Sequence, residues 1–279
     1  MREIHVDKIV DAVEKLCIDA CYYLGDDVTK LMKKAREDEV SDFGQSIMDQ
    51  LLDNIKISRD NNVPMCQDTG MTVVFLEIGQ DAHIVGGNLQ DAINEGVRRG
   101  YKNGYLRKSV LTPIERINTK DNTPAVIHTE IVPGEQLKIT VAPKGAGSEN
   151  MSRLKMLTPS QGLDGIKDFI METVTLAGGC PCPPIILGVG IGGTMEKAAY
   201  MAKKSLIRKA GEHNADPSIA KLEEEMLEKI NKTGIGPQGL GGRSTAMAVH
   251  IDAYPTHIAE LPIAVNLQCH AARHKEAIL

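Results

Sequence analysis

The sequence predicts a fold of mixed α and β structure. Several segments repeat apolar residues at the helical spacing i, i+3, i+4 and i+7. Short apolar runs bounded by turn residues lie between those segments, as expected of buried strands. With 279 residues, 42% of them hydrophobic and 25% charged, the chain has a globular composition and is long enough for one large domain or two smaller ones.

The N-terminal segment predicts an amphipathic helix over residues 6–24. Its apolar stripe includes Cys17 and Cys21, four residues apart. Two thiols on one helical face could share a metal, but no other ligand type joins them there, so we expect both to pack in the core. A second helix is predicted over residues 41–57, where Ser41 is a good N-cap.

The middle of the chain alternates predicted strands and helices after a polar loop at 58–70. The pattern predicts strands at 71–79, 125–132 and 136–143, and helices at 89–104 and 165–178. Residues 143–162 contain Pro, Gly, Ser and Asn without a clean period. We therefore expect a long loop there, and long loops in compact domains are often functional.

The C-terminal part predicts two further helices, at 194–210 and 217–234. Strands are predicted at 246–251 and 262–269, joined by a loop over 252–257. The sequence contains no internal repeat or low-complexity segment.

Charge and composition exclude several classes of function. The net charge is -5, only 3% of residues are aromatic and none is Trp, so no basic footprint for nucleic acid stands out and few stacking platforms are available. The N-terminus is charged and periodic, unlike a signal peptide, and no apolar run reaches membrane-spanning length. We expect a cytoplasmic protein without nucleic-acid or membrane partners, whose six cysteines stay reduced.

Two glycine-rich stretches resemble nucleotide-binding loops. Gly188, Gly190 and Gly193 spell G-x-G-x-x-G, but no apolar strand ending in an acid follows, so a Rossmann fold is not expected. In the second stretch, residues 234–245, Arg243 stands where a P-loop requires Lys. Both stretches are compatible with structural turns or with backbone contacts to an anion.

Four cysteines lie in loop-like contexts: Cys66, the pair Cys180 and Cys182, and Cys269. Their wide spacing excludes a compact ferredoxin motif or zinc knuckle. A cluster assembled from distant loops and simple packing of isolated thiols both remain open on spacing alone.

Five segments of the chain carry a family resemblance: VPMCQDTG, GAGSENMSRLKML, CPPIILGVGIGG, GIGPQGLGGRSTAMAVHI and THIAELPIAVNLQCHAARH. Together they resemble the α subunit of class I fumarate hydratases, the iron–sulfur hydro-lyase family that includes L-tartrate dehydratase. The resemblance implies that residues 1–279 form a single domain of this family, with mixed β-sheets flanked by helices.

The same resemblance implies a [4Fe–4S] cluster held by three cysteines, with its fourth iron open to substrate. Matched motif by motif, the ligands are Cys66, Cys182 and Cys269. The 178–193 stretch is then a metal loop, and its glycines are expected to form turns at the cluster. Cys180 departs from the family pattern, and is either inert or a fourth ligand.

Roles for five further residues follow from the resemblance. Gln67, Arg107 and the backbone of Gly147 are expected to bind substrate, and Asp68 and His257 to lie beside the cluster as a catalytic pair. Three of these residues have an ordinary alternative. The carboxylate of Asp68 could cap a turn, Arg107 could be a surface charge, and His257 could be a satisfied histidine at a strand start.

The implied reaction is reversible hydration of fumarate to L-malate, with dehydration of L-tartrate as the alternative. Single-chain relatives continue past the position of Leu279 into a domain that supplies the base, so we expect a β subunit, in an α2β2 assembly, to complete the site for a small dicarboxylate. Two other classes stay open: an electron-transfer protein using all four loop cysteines, and a nucleotide-dependent dehydrogenase.

Overall fold

A computed structural model describes residues 2–279 and divides the chain into two compact units. Unit 1 contains the residues up to Leu24, Ile55–Ala146 and Arg273–Leu279. Unit 2 contains Gly25–Asn54 and Gly147–Ala272.

The secondary structure consists of helices and strands that alternate along most of the chain. The helices are α1 (Val6–Tyr22), α2 (Asp26–Asp38), α3 (Asp42–Asn61), α4 (Leu89–Asn103), α5 (Ala146–Glu149), α6 (Gly162–Ala177), α7 (Met195–Ser205) and α8 (Pro217–Asn231). The strands are β1 (Arg2–His5), β2 (Met71–Gly79), β3 (Ala82–Val85), β4 (Val126–Val132), β5 (Leu137–Lys144), β6 (Arg153–Leu157), β7 (Ile185–Gly192), β8 (Ala246–Tyr254), β9 (Leu261–Gln268) and β10 (Lys275–Ile278).

Unit 1 is built on a four-stranded sheet in the order β10-β5-β2-β4. Strand β2 pairs with β4 in parallel and with β5 antiparallel, so the sheet is mixed. Helices α1 and α4 pack together, and their apolar stripes join the inner face of β2 and β5 in one core. Asn88 caps α4 by accepting hydrogen bonds from the backbone of Gln90 and Asp91, which sets where this helix begins.

Unit 2 is built on a second mixed sheet, in the order β6-β9-β7-β8. Strand β7 pairs with β8 in parallel and with β9 antiparallel. Residues of α6 and α8 form one core with the apolar side chains of β7, β8 and β9. Helix α7 packs against β7 and β9, where two of its alanines contact Ala264.

The predicted fold class is confirmed, because both four-stranded sheets are mixed and carry packed helices. Strand β2 has the predicted bounds, and α1, α4, α6 and α8 lie where the periodicity placed helices. Cys17 and Cys21 are fully buried in the core of unit 1, as expected. Helix α3 continues to Asn61, which shortens the polar loop that precedes Cys66.

The prediction of one long loop over 143–162 is wrong. Residues Arg153–Leu157 form strand β6, which pairs antiparallel with β9 at the edge of the unit 2 sheet. The strand lacked a clear sequence signal because it is only five residues long and its apolar residues Leu154 and Met156 are exposed at the edge of the sheet.

The prediction that the glycines of the 178–193 stretch are turns is wrong for Gly188 and Gly190. Both lie inside strand β7. A Cβ atom on Gly188 would lie 2.0 Å from the carbonyl oxygen of Ala202, and one on Gly190 would lie 2.1 Å from that of Ala198. Glycine is present because the backbone of helix α7 lies directly against the strand. The turn comes later, at Gly192 and Gly193, where φ is positive.

A search of helices within residues 2–279 finds none that is long and apolar enough to cross a bilayer.

Replacing Gly190 by Ala is expected to lower the free energy of unfolding by about 1–3 kcal/mol or more, because the new methyl group would push α7 off the strand. Urea titration measures the change. Gly87→Ala serves as control, since its added Cβ would approach only a methyl group of Val6, at 3.3 Å. Equal unfolding midpoints for the two variants would contradict the role assigned to Gly190.

Candidate functional site

In unit 1, the loop that carries Cys66 follows helix α3 and is tied to the core by buried groups. The N–H of Met65 donates to the carbonyl of Cys21 at 3.0 Å. The hydroxyl of Tyr101, itself fully buried, donates to the carbonyls of Thr69 and Gly70 at 2.8 and 3.0 Å. These bonds give the loop a defined position beside α1 and α4.

Cys17 and Cys21, on helix α1, are buried, whereas Cys66 is partly exposed. Burial raises the pKa of the Cys17 thiol, and burial raises the pKa of Cys21 to about 11. Cys21 stays a thiol and directs its sulfur at the carbonyl of Thr69, at 3.8 Å. Since metals bind the thiolate, neither residue suits ligation, whereas the partly exposed Cys66 is accessible.

The carboxylate of Asp68 accepts two backbone hydrogen bonds. Oδ1 accepts from the N–H of Gly70 at 3.0 Å, and Oδ2 accepts from that of Ala146 at 2.8 Å. The guanidinium of Arg273 also donates to the carbonyl of Asp68. In unit 1, Asp68 therefore holds the Cys66 loop to the end of strand β5.

Arg107 lies close to the same loop, because its carbonyl accepts a hydrogen bond from the hydroxyl of Thr69 at 3.1 Å. Its side chain is exposed, and its guanidinium makes no hydrogen bond or ion pair with residues 2–279. Gln67 is exposed on the loop itself. Unit 1 thus brings together four of the predicted residues: Cys66, Gln67, Asp68 and Arg107.

In unit 2, the sheet register brings the loops of Cys182 and Cys269 together. Strand β7 begins just after Cys182, and β9 ends just before Cys269. The strands run antiparallel, and Ile186 is paired with Gln268. The N–H of His270 donates to the carbonyl of Cys182 at 3.2 Å, which joins the two loops directly.

Cys180 and Cys182 are both exposed, but their backbones differ. Cys182 has φ of 57°, in the left-handed region that costs a non-glycine residue about 1–2 kcal/mol. Such conformations persist where the surroundings enforce them, often at functional sites.

The carbonyl oxygen of Cys180 faces Gly147, and a Cβ atom added to Gly147 would lie 3.4 Å from that oxygen. Gly147 therefore lies beside the cysteine loop, and its predicted contact with substrate stays a prediction.

His257 lies at the other end of the unit 2 sheet. It belongs to the loop between β8 and β9, where its Nδ1 accepts a hydrogen bond from the N–H of Ala259 at 3.2 Å. That loop follows the pairing of Tyr254 with Gly192, at the end of β7 away from Cys182. The eight residues of β7 span about 23 Å at about 3.3 Å per residue. Within unit 2, His257 is therefore separated from the cysteine loops.

Glu39 is a buried carboxylate that the sequence did not single out. Only 1% of its surface is exposed. Its two oxygens accept hydrogen bonds from the N–H groups of Val40, Ser41, Arg243 and Ser244 at 2.8 to 3.1 Å. Burial alone would raise the pKa of Glu39, but these donors outweigh it and the pKa is lowered. The charge anchors the end of the glycine-rich loop over 234–245.

No group of three or more His, Cys, Asp or Glu side chains in the described residues is arranged to hold a metal ion. Two of the loops that carry the predicted cysteine ligands meet in unit 2, and the ligand assignment itself stays a prediction.

Comparison with known proteins defines the class as hydro-lyases. The chain belongs to the fumarate hydratase (Fumerase) family, which matches residues 10–278, and this confirms the resemblance seen in the sequence motifs. It is similar to the putative L(+)-tartrate dehydratase subunit alpha of Methanocaldococcus jannaschii, with 44% identity over 274 residues and 95% of each chain covered. It is also 32% identical over 272 residues to the L(+)-tartrate dehydratase subunit alpha of Escherichia coli K12, covering 96% of this chain and 89% of that one.

Glu39→Gln is expected to lower the free energy of unfolding at pH 7 by about 2–3 kcal/mol, because the backbone donors lose a buried charged acceptor. Since folding lowers the pKa of Glu39, its contribution is present above the ordinary glutamate pKa of about 4.3 and is lost as the pH falls below it. The difference in the free energy of unfolding between Glu39→Gln and wild type should therefore become smaller at acidic pH.

Urea unfolding at a series of pH values between about 3 and about 8 measures this dependence. The exposed Glu37, replaced by Gln, is the control. A stability loss in Glu39→Gln that is the same at every pH would contradict a role for the charge.

Proposed function

We propose that the chain is the α subunit of an iron–sulfur hydro-lyase that reversibly hydrates fumarate to L-malate. The observation that carries the proposal is the hydrogen bond between His270 and Cys182, which joins the loops of two of the three motif cysteines. Membership of the fumarate hydratase family supports the reaction class.

Cys66, Cys182 and Cys269 would hold the cluster through their thiolates. All three are at least partly exposed, in contrast to the fully buried Cys17 and Cys21, so the donor set fits the group. When bound, a [4Fe–4S] cluster with one open iron supplies a Lewis acid for the substrate hydroxyl. Such a cluster fits a reducing compartment, and we place the protein in the cytoplasm.

Arg107 is the residue of this chain best suited to bind a substrate carboxylate. Its guanidinium is exposed and makes no bond to other described residues, while its backbone is held to the Cys66 loop by Thr69. A guanidinium binds a carboxylate through two parallel hydrogen bonds. The exposed amide of Gln67 and the N–H of Gly147 would supply neutral donors to the same ligand.

Asp68 and His257 are the two residues that we propose as catalytic, and they lie in different surroundings. Asp68 accepts two backbone N–H hydrogen bonds that hold the Cys66 loop, and it would act mainly through that position. His257 is exposed in the β8–β9 loop and would contribute from the far end of the unit 2 sheet.

A partner subunit would complete the site. The relatives from Methanocaldococcus jannaschii and Escherichia coli are both named as subunit alpha. A dianionic substrate needs more cationic donors than Arg107 alone can provide, since unpaired buried carboxylates cost several kcal/mol. We infer a β subunit with the family's C-terminal domain that supplies these donors and the base for the C3 proton, in an α2β2 assembly in which residues 1–279 act as one cluster-binding domain.

Dehydration of L(+)-tartrate is the second candidate. Both relatives are named as L(+)-tartrate dehydratase subunits, at 44% and 32% identity to this chain. Tartrate differs from malate by one hydroxyl group, and a pocket that hydrogen-bonds this group would discriminate strongly between the two.

Cys66→Ser, Cys182→Ser and Cys269→Ser are each expected to abolish cluster binding, because each removes one thiolate ligand. Cys180→Ser is the matched control and should keep the cluster. Iron and sulfide analysis after anaerobic reconstitution measures both results. Loss of the cluster in the Cys180 variant with retention in the Cys182 variant would reverse the assignment. Loss in all four would favour the electron-transfer alternative.

The reconstituted chain alone is expected to show no turnover, and addition of the β subunit, roughly 20 kDa in size, should restore it. Turnover is measured with fumarate, L-malate and L(+)-tartrate as separate substrates. Preference for tartrate would select the second candidate. Full activity of the isolated chain with any of the three would refute the need for a partner.

A further inference from the structure

The glycine-rich loop over 234–245 packs against the cysteine loop of unit 2. A Cβ atom added to Gly239 would lie 2.4 Å from the Cα of Gly179, and one added to Gly179 would lie 3.0 Å from the Cα of Gly239. Only glycine permits two backbones to approach so closely. The loop that resembled a P-loop in the sequence therefore supports the segment that leads to Cys182.

Gln238 lies at the centre of this contact. Its backbone N–H and its side-chain Nε2 both donate to the carbonyl of Pro183, at 2.8 and 2.7 Å. Pro183 directly follows Cys182, so both bonds restrain the cysteine loop from the same residue.

The Gln238 amide also reaches the loop of Cys269. Its Nε2 lies 3.2 Å from Nδ1 of His270, and the same Nδ1 lies 3.1 Å from the carbonyl of Cys182. The N–H of His270 donates to that carbonyl as well. One side chain thus contacts both loops whose thiols are proposed ligands.

The backbone conformation of Gln238 is one that glycine would adopt more easily. The residue has φ of 54°, in the left-handed region that favours glycine. The loop's other positions with positive φ are all glycine: Gly234, Gly236, Gly239, Gly241 and Gly242. A glutamine here costs about 1–2 kcal/mol, which is the pattern expected where a side chain is needed in spite of the strain.

We propose that Gln238 is a positioning residue that clasps the Cys182 and Cys269 loops together, with His270 as its contact on the second loop. The proposal rests on the proposed function, since it requires that both thiols bind the cluster. Groups that orient metal ligands without touching the metal typically change metal affinity about 10- to 100-fold when they are removed.

Gln238→Gly removes the clasp without straining the fold, because glycine accepts the positive φ and keeps the backbone bond to Pro183. Gln238→Met removes only the amide donor and keeps the side-chain length. Both variants, with cluster reconstituted anaerobically, are expected to release iron to a ferrous chelator about tenfold faster than wild type or more. Lys120→Gly is the matched control, since Lys120 is another non-glycine residue with positive φ, at 68°, and its side chain is exposed.

Amide hydrogen exchange in the cluster-free chain provides a second readout. The N–H of His270 should exchange about tenfold faster in both Gln238 variants, because its acceptor loop loses restraint, while the control keeps the wild-type rate. The reduced-cluster EPR signal should also broaden, which a general loss of stability would not produce.

The outcomes separate the clasp from the proposed function. A wild-type chain that binds no iron and sulfide under reconstitution overturns the proposed function and the clasp with it. A wild-type chain that holds its cluster, while both Gln238 variants release iron and exchange the His270 amide at wild-type rates, overturns the clasp alone.

Discussion

The antiparallel register of β9 against β7 is the constraint on which the unit 2 site depends. Pairing of Ile186 with Gln268 places the end of one strand beside the start of the other. Cys182 and Cys269 are 87 residues apart in the chain, yet their loops are joined by a backbone hydrogen bond. A slip of one residue would turn every β9 side chain to the other face and break the apolar core, so burial of the sheet protects the register.

The glycines of β7 and of the loop over 234–245 perform the same physical task in two places. Gly188 and Gly190 let helix α7 approach the strand, and Gly179 and Gly239 let two loops touch through their backbones. In each case a methyl group would collide with the neighbouring main chain. Glycine patterns that resemble phosphate-binding loops therefore serve here to pack backbone against backbone beside the cysteines.

The cysteines lie in two different environments, either buried in the core of unit 1 or at least partly exposed on loops. Cys17 and Cys21 lie on the apolar stripe of α1, where burial raises the pKa of both thiols and keeps them protonated. Cys66 lies on a loop that Tyr101 holds by hydrogen bonds in unit 1, and Cys182 lies on a loop that Gln238 holds by hydrogen bonds in unit 2. The two loops are therefore held by a buried and by a strained neighbour, while the thiols of Cys66 and Cys182 remain at least partly accessible.

Local sequence patterns predicted the fold class, most helix and strand positions, the burial of Cys17 and Cys21, and the family, because periodicity and contiguous motifs are local properties of the chain. The edge strand β6, the location of Gly188 and Gly190 inside β7, and the anchoring of loops by Glu39 and Gln238 became visible in the folded structure alone. It also placed His257 at the opposite end of the unit 2 sheet from Cys182. These features depend on strand pairing and backbone contacts between residues distant in sequence, and no local pattern records which segments will meet.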